Sequence, residues 1–155
     1  IPATVVHATN SICTWLKENI KLPLLIGPDQ ESEQWVSTIA KELGAPFIIL
    51  EKHRHGDRDV DIVIPNLQEY ATLTPILIDD IVSTGKTMLV TIKKLRAHNM
   101  QPPVCIAVHG IFAGNSYSEL QAAGAKQVVS CNTITHVSNE IDLSDTIVQT
   151  LKHIS

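Results

Sequence analysis

Asp79-Asp80-Ile81-Val82-Ser83-Thr84-Gly85-Lys86-Thr87 puts two carboxylates, three hydroxyls, a glycine and a lysine directly behind the apolar run Ile76-Leu77-Ile78. In an open parallel sheet, ligands settle beyond the carboxyl ends of the strands, where the N–H groups of the next helix point outward with partial positive charge. A phosphate suits that position. Ser83, Thr84 and Thr87 add hydroxyl donors, and Gly85 lets the backbone come close to an anion or take a positive φ. Gly85-Lys86-Thr87 also matches the end of the nucleotide-binding pattern G-x-x-x-x-G-K-[ST], but the first glycine of that pattern falls on Asp80. Two carboxylates there would repel a triphosphate. The vicinal hydroxyls of a ribose are donors that a carboxylate pair accepts, directly or through a magnesium ion, while a single 5-phosphate rests on the downstream N–H groups. The string therefore reads as a sugar-phosphate site; a plain strand-to-helix turn needs only one capping side chain, not all of these.

The elements that would hold such a loop are legible in the spacing of apolar residues. Leu24-Leu25-Ile26-Gly27, Phe47-Ile48-Ile49-Leu50, Ile76-Leu77-Ile78-Asp79, Val104-Cys105-Ile106-Ala107-Val108 and Val128-Val129 are short and nearly continuous, as strands of a parallel sheet covered on both faces should be. Val36, Ile39, Ala40 and Leu43 form one helical stripe that Gly44 ends; Met88, Ile92 and Leu95 mark a second. A first helix is expected around Ile12, Leu16 and Ile20, and a last around Ile147, Val148, Leu151 and Ile154. Trp15 and Trp35 sit beside helical stripes as packing residues. The charged stretch Lys52-His53-Arg54-His55-Gly56-Asp57-Arg58-Asp59 reads as a loop, and the alternation of Val60, Ile62 and Ile64 as a half-buried edge strand, together a candidate mobile lid. The expectation is one α/β domain over residues 1–155, an open, mainly parallel sheet with helices on both faces and an edge hairpin with a flexible loop.

Composition bounds the rest. With 155 residues, 44% hydrophobic and 18% charged, the chain can bury a core without metals or disulfides. A net charge of -4 without a Lys/Arg block argues against a grip on nucleic acid. Cys13, Cys105 and Cys131 lack metal or disulfide spacing and read as buried free thiols. No apolar run reaches the roughly 18 residues of a membrane span. A soluble, cytoplasmic protein is expected, and the start at Ile1-Pro2 points to a piece of a longer polypeptide.

The string Ile-Leu-Ile-Asp-Asp-Ile-Val-Ser-Thr-Gly-Lys-Thr-Met resembles the phosphoribosyl diphosphate loop shared by type I phosphoribosyltransferases and ribose-phosphate pyrophosphokinases. Ile1-Pro2, Gly27-Pro28-Asp29, Glu51-Lys52-His53-Arg54, His109-Gly110-Ile111-Phe112-Ala113-Gly114, Asn132-Thr133-Ile134 and His136-Val137-Ser138-Asn139-Glu140-Ile141-Asp142 follow in order. Together they are similar to the carboxy-terminal half of the pyrophosphokinases over nearly the whole chain, whereas a phosphoribosyltransferase shares the central loop and needs a base-binding hood for which no spare segment is seen.

The resemblance implies transfer of diphosphate from ATP to the carbon-1 oxygen of ribose 5-phosphate. It implies that Lys52 and Arg54 close over the reacting phosphates, with Arg54 also touching the sugar phosphate, that Asp79, Asp80, Ser83, Thr84, Gly85, Lys86 and Thr87 hold ribose 5-phosphate, and that Asp29 binds Mg2+. It further implies a homo-oligomer in which an amino-terminal half supplies much of the adenine site. Taken alone, Lys-x-Arg in a charged loop is more often a solvated surface, and Asp29 could as well cap a helix. His109, His136, Ser138 and Asn139 match family motifs and are not counted as catalytic. The departure lies after Asp29, where Gln30-Glu31-Ser32-Glu33-Gln34-Trp35 stands in place of the glycine pair and basic residue of the family's diphosphate turn. Two glutamates there oppose a diphosphate, and a second reading, a non-catalytic homologue that regulates true synthases, follows from that turn.

Overall fold

A computed structural model describes the backbone of residues 3–55 and 59–154, and of these every side chain except those of residues 52–55, 59–61, 153 and 154. Its centre is a six-stranded, wholly parallel sheet. The strands are β1 (Pro23–Gly27), β2 (Phe47–Ile49), β5 (Thr74–Val82), β6 (Val104–Gly110), β7 (Gln127–Cys131) and β8 (Asn139–Ile141), in the order β2-β1-β5-β6-β7-β8. β3 (Glu51–His55) and β4 (Asp59–Val63) form a separate antiparallel pair. Five helices complete the fold: α1 (Thr9–Asn19), α2 (Glu33–Leu43), α3 (Lys86–Ala97), α4 (Ser116–Ala122) and α5 (Ser144–Ile154).

Alternation along the strands builds two cores. Leu25, Ile76, Ile78, Val104, Ile106 and Val129 meet α1 and α2 through Ile12, Leu16, Val36 and Ile39. Leu24, Ile26, Leu77, Cys105 and Val128 meet α3 and α4 through Met88, Ile92, Leu95 and Leu120. The connection after β1 thus runs to one face and that after β5 to the other, although β1 and β5 are neighbours. A sheet opens a crevice where its windings diverge in this way, and here it lies beyond Gly27 and Val82.

The α/β sandwich matches the expected class, and the five expected strands are present. α2 ends as read: Gly44 adopts φ 62° and its N–H donates to the carbonyls of Ala40 and Lys41. Three details differ. Lys52 and Arg54 stand on strand β3, paired in register with Ile62 and Val60, rather than in a loop. The hairpin also does not extend the sheet edge; it docks on the α3 face through Ile62, fully buried, and through the Lys94 ammonium, which donates to the Ile62 carbonyl. Finally, α5 forms where expected, but Ile147, Val148 and Leu151 are 44%, 47% and 58% exposed while Thr146 bonds Ser11 of α1.

All three cysteines are free and buried, and burial pushes the Cys105 thiol up to about 12 and Cys131 to about 11. Among the described residues no helix is long and apolar enough to cross a membrane.

Candidate functional site

β5 carries its carboxylates just past its continuous buried run, before Val82 turns back into the core. Ile76, Leu77 and Ile78 are buried, Asp79 is half-buried and Asp80 exposed. Desolvation at a strand end, without a cation to offset it, disfavours the ionised form. Burial first, then a hydrogen bond with Asp80 and repulsion from Asp80 and Asp29, raise the Asp79 carboxyl to about 7, and the Asp80 backbone amide only partly counters this. The strand end therefore favours the neutral carboxyl, which a ligand donor or a cation would reverse.

Beyond Val82 the chain turns through Ser83, Thr84 and Gly85 into α3. Gly85 has φ 66° and ψ 7°; no atom lies closer than 3.6 Å to the place a Cβ would take, so conformation rather than space calls for glycine. A cleft of about 160 Å³ is lined by Asp79, Ile81, Val82, Ser83, Thr84, Gly85, Lys86, Thr87 and Met88. The structure thus brings together every residue of the sequence-read loop except Asp80, which lines a groove of about 750 Å³ on the opposite face with Glu31, Gln34 and Trp35 of the α2 side. The small cleft has the donors for one phosphate: the first-turn N–H groups of α3, two exposed hydroxyls and the Lys86 ammonium.

A neighbouring loop, not read as functional from the sequence, holds this turn in place. The N–H groups of Ile111 and Phe112 donate to the Val82 carbonyl at 3.0 Å each; the Ala113 N–H and the Ser116 hydroxyl donate to the Ser83 carbonyl, also at 3.0 Å. Gly110 and Gly114 flanking Phe112 were the available signal. At the end of β6, Thr133 Oγ1 donates to the Val108 carbonyl and so accepts from His109 Nδ1 at 2.9 Å, which leaves Nε2 of the neutral ring as an exposed acceptor.

Asp29 lies across the crevice at the end of β1. It caps the 3-10 turn Gln30–Ser32: Asp29 Oδ1 accepts from the Ser32 N–H at 3.3 Å, and the Ser32 hydroxyl donates to the Asp29 carbonyl oxygen. Ser32 is buried, packed so close to Gly27 that a Cβ there would lie 2.3 Å from its Oγ. Where the family's diphosphate turn has glycines, this chain has a filled, capped turn. Among the described residues no three acidic, histidine or cysteine side chains converge as a ready metal cage. The Asp79 carboxyl, with Asp80 and Asp29 close enough to repel it, would gain from a cation or a hydrogen-bond donor brought beside it. Lys52 and Arg54 have their backbone on β3; their side chains lie outside the described residues, as does the rest of the charged stretch at residues 56–58.

With this geometry in place, comparison with known proteins is informative. A family model described as phosphoribosyl transferase domain matches residues 4–146. The chain is 30% identical to a ribose-phosphate pyrophosphokinase of Sulfurisphaera tokodaii, over 84% of this chain and 45% of that protein. It is 26% identical to one of Methanobrevibacter smithii, over 98% of this chain and 55% of the relative. It spans about half the length of the curated relatives it matches. Among solved structures it superposes on a phosphoribosylpyrophosphate synthetase from Mycobacterium smegmatis with a TM-score of 0.75 at 20% identity, covering 95% of this chain and 50% of the other. An APRTase from Giardia lamblia gives 0.62 at 14% identity, covering 79% and 75%. The likeness extends over nearly the whole chain in the first case and over the common fold in the second.

Proposed function

Because the chain belongs to the phosphoribosyl transferase domain family, we propose that it is the ribose 5-phosphate-binding part of a ribose-phosphate diphosphokinase, which moves diphosphate from ATP to ribose 5-phosphate. The observation that carries this reading is the cleft formed by Ser83, Thr84, Gly85, Lys86 and Thr87 with Asp79 on its rim. The cleft takes the 5-phosphate. Asp79 and Asp80 then accept from the ring hydroxyls, and each donor they gain offsets the repulsion between them. Relatives named as ribose-phosphate pyrophosphokinases support the diphosphokinase over a transferase acting on a base.

In the reaction the carbon-1 oxygen of ribose bonds to the β-phosphorus of ATP, the bond from that phosphorus to the oxygen of AMP breaks, and phosphoribosyl diphosphate forms. Phosphoryl-type transfer needs positioning and positive charge more than covalent help. Lys52 and Arg54 on the docked hairpin are assigned that charge, with Arg54 also on the substrate. A magnesium ion held at Asp29 and completed by ligand oxygens and water would neutralise developing phosphate charge. The remaining adenine contacts are assigned to an amino-terminal half and to neighbouring subunits of a homo-oligomer, in a cytoplasm that suits three buried thiols.

Titration of the 155-residue chain with ribose 5-phosphate and Mg2+ in a calorimeter tests the site; absence of heat sinks it. The same chain should form no AMP from ATP, and AMP formation would show that it needs no further half.

One observation favours a second reading, a regulatory homologue without catalysis: Asp29 is engaged as a cap and Ser32 fills the space beside Gly27. Lys52→Ala in the longer protein separates the two. A rate that falls by orders of magnitude supports catalysis, whereas a parent already inactive supports regulation.

A further inference from the structure

Three aromatic rings meet behind the loop that clamps the phosphate turn. Phe112 lies 4.7 Å from His136 and 5.4 Å from Tyr117, centroid to centroid, and Tyr117 lies 4.8 Å from His136. Phe112 is buried and takes φ 46°, a left-handed conformation that costs a residue with a side chain about 1–2 kcal/mol. Its ring folds back over Gly110 so closely that a Cβ there would stand 2.4 Å from Phe112 Cε2. The bond from the Phe112 N–H to Val82 ties the backbone of that strained residue, and the contacts with His136 and Tyr117 fix its ring.

His136 is itself fixed by a hydrogen-bond chain whose direction can be assigned. The Ser138 backbone N–H donates to His136 Nδ1 at 3.2 Å, so Nδ1 is an acceptor in the neutral ring and the Ser138 hydroxyl, 2.8 Å away, also donates to it. The Ser138 oxygen then accepts from the Ser130 hydroxyl at 2.7 Å, and the Ser130 oxygen accepts from the Asn139 amide at 2.8 Å. Asn139 closes the circuit, its Oδ1 accepting the backbone N–H of His136 at 2.9 Å. Ser130 and Ser138 are buried, so each member of this chain is satisfied and the imidazole has one orientation.

The consequence reaches the site through planar peptides. The left-handed turn at Phe112 aims the N–H groups of Ile111, Phe112 and Ala113 at the carbonyls of Val82 and Ser83, and Ser116, beside Tyr117, adds its hydroxyl to the second. In a trans peptide the N–H of the next residue points opposite to the carbonyl. Holding those carbonyls toward the clamp turns the Ser83 and Thr84 N–H groups away from it. We propose that His136, through Phe112 and Tyr117, is a positioning residue that aims the Ser83 and Thr84 amides at the phosphate; this rests on the sugar-phosphate reading of the cleft.

Amide NMR of the chain during titration with inorganic phosphate, and separately with ribose 5-phosphate, tests it, with thermal unfolding measured beside each titration. The native chain should show phosphate-dependent shifts at Ser83 and Thr84. His136→Ala should weaken both ligands about tenfold to a hundredfold, the worth of one misaimed charge-assisted hydrogen bond, and shrink those shifts at a temperature where it remains folded. His136→Phe, which restores a ring against Phe112, should recover part of the affinity. Should His136→Ala fail to fold, Phe112→Leu reads the same step while keeping the buried volume. Affinity and shifts unchanged in a folded His136→Ala or Phe112→Leu, with only the melting temperature lowered, overturn the positioning role alone. A native chain without phosphate-dependent shifts overturns the sugar-phosphate reading and this inference together.

Discussion

Asp79 and Asp80 are consecutive on β5 yet border different cavities, Asp79 the phosphate-loop cleft and Asp80 the larger groove, while the Asp80 N–H donates to Asp79 Oδ1 at 3.0 Å. The pair can therefore serve one ligand that lies across the sheet edge, or hold a proton in its absence.

That proton makes stability depend on pH. Asp79 has a folded value of about 7 against 3.8 for a free aspartate, so it binds a proton more tightly when folded. Its contribution is complete below pH 4 and lost as pH rises through 7. Asp79→Asn keeps the acceptor for the Asp80 N–H and removes the titration. Urea unfolding should find it more stable than the parent at pH 8, on the order of 2 kcal/mol after allowance for solvent, and equal near pH 4. Equal stability at both values would refute the assignment. The same variant should bind ribose 5-phosphate more weakly.

Asp29 can be split into cap and ligand. Asp29→Asn still accepts from the Ser32 N–H and should leave the melting temperature nearly unchanged, whereas Asp29→Ala should lose about 1 kcal/mol of stability. Both should weaken binding of Mg2+ with ribose 5-phosphate. A charge-neutral asparagine that binds the ion as well as the parent would remove Asp29 from the metal site.

Two glycines should fail for different reasons. Gly85→Ala meets only ordinary contacts with Leu120 and Ser116 but a positive φ, and should cost about 1 kcal/mol in denaturant titration along with some phosphate affinity. Gly110→Ala drives a methyl into the Phe112 ring and should cost more, about 2–3 kcal/mol, with the clamp on Val82 and Ser83 loosened.

Ile62 alone among the described hairpin side chains is fully buried, so Ile62→Ala should cost about 2–4 kcal/mol. Hydrogen exchange should rise in β3 and β4 before it rises in the parallel sheet. Uniform exchange would mean that the hairpin is held by other contacts.

Much of this was legible in the sequence because the signal was local. Continuous apolar runs gave five strands of the parallel sheet, Gly44 gave the end of α2, and the acid-hydroxyl-glycine string gave the phosphate turn. What escaped notice depended on distant partners. β8 spans only Asn139–Ile141, too short for a pattern, and exists because β7 offers it a ladder. β3 looked like a charged loop because its pairing partner, not its own residues, makes it a strand. The Phe112 clamp shows no periodicity at all; it arises where β6, α4 and the β7–β8 connection meet. The apolar stripe of α5 was visible, but not that its side chains would face outward.

The three cysteines have a practical consequence. Cys105 and Cys131 are raised to about 12 and 11 and Cys13 is also buried, so at neutral pH almost no thiolate is offered to a reagent. A single cysteine introduced on an exposed position outside the cleft, such as Ser118, would then be the fast-reacting thiol of an otherwise silent chain. Paired with a second on the hairpin, it would carry a two-label ruler that reads, in solution and without removing any native residue but those two, whether β3 and β4 move when ribose 5-phosphate is added.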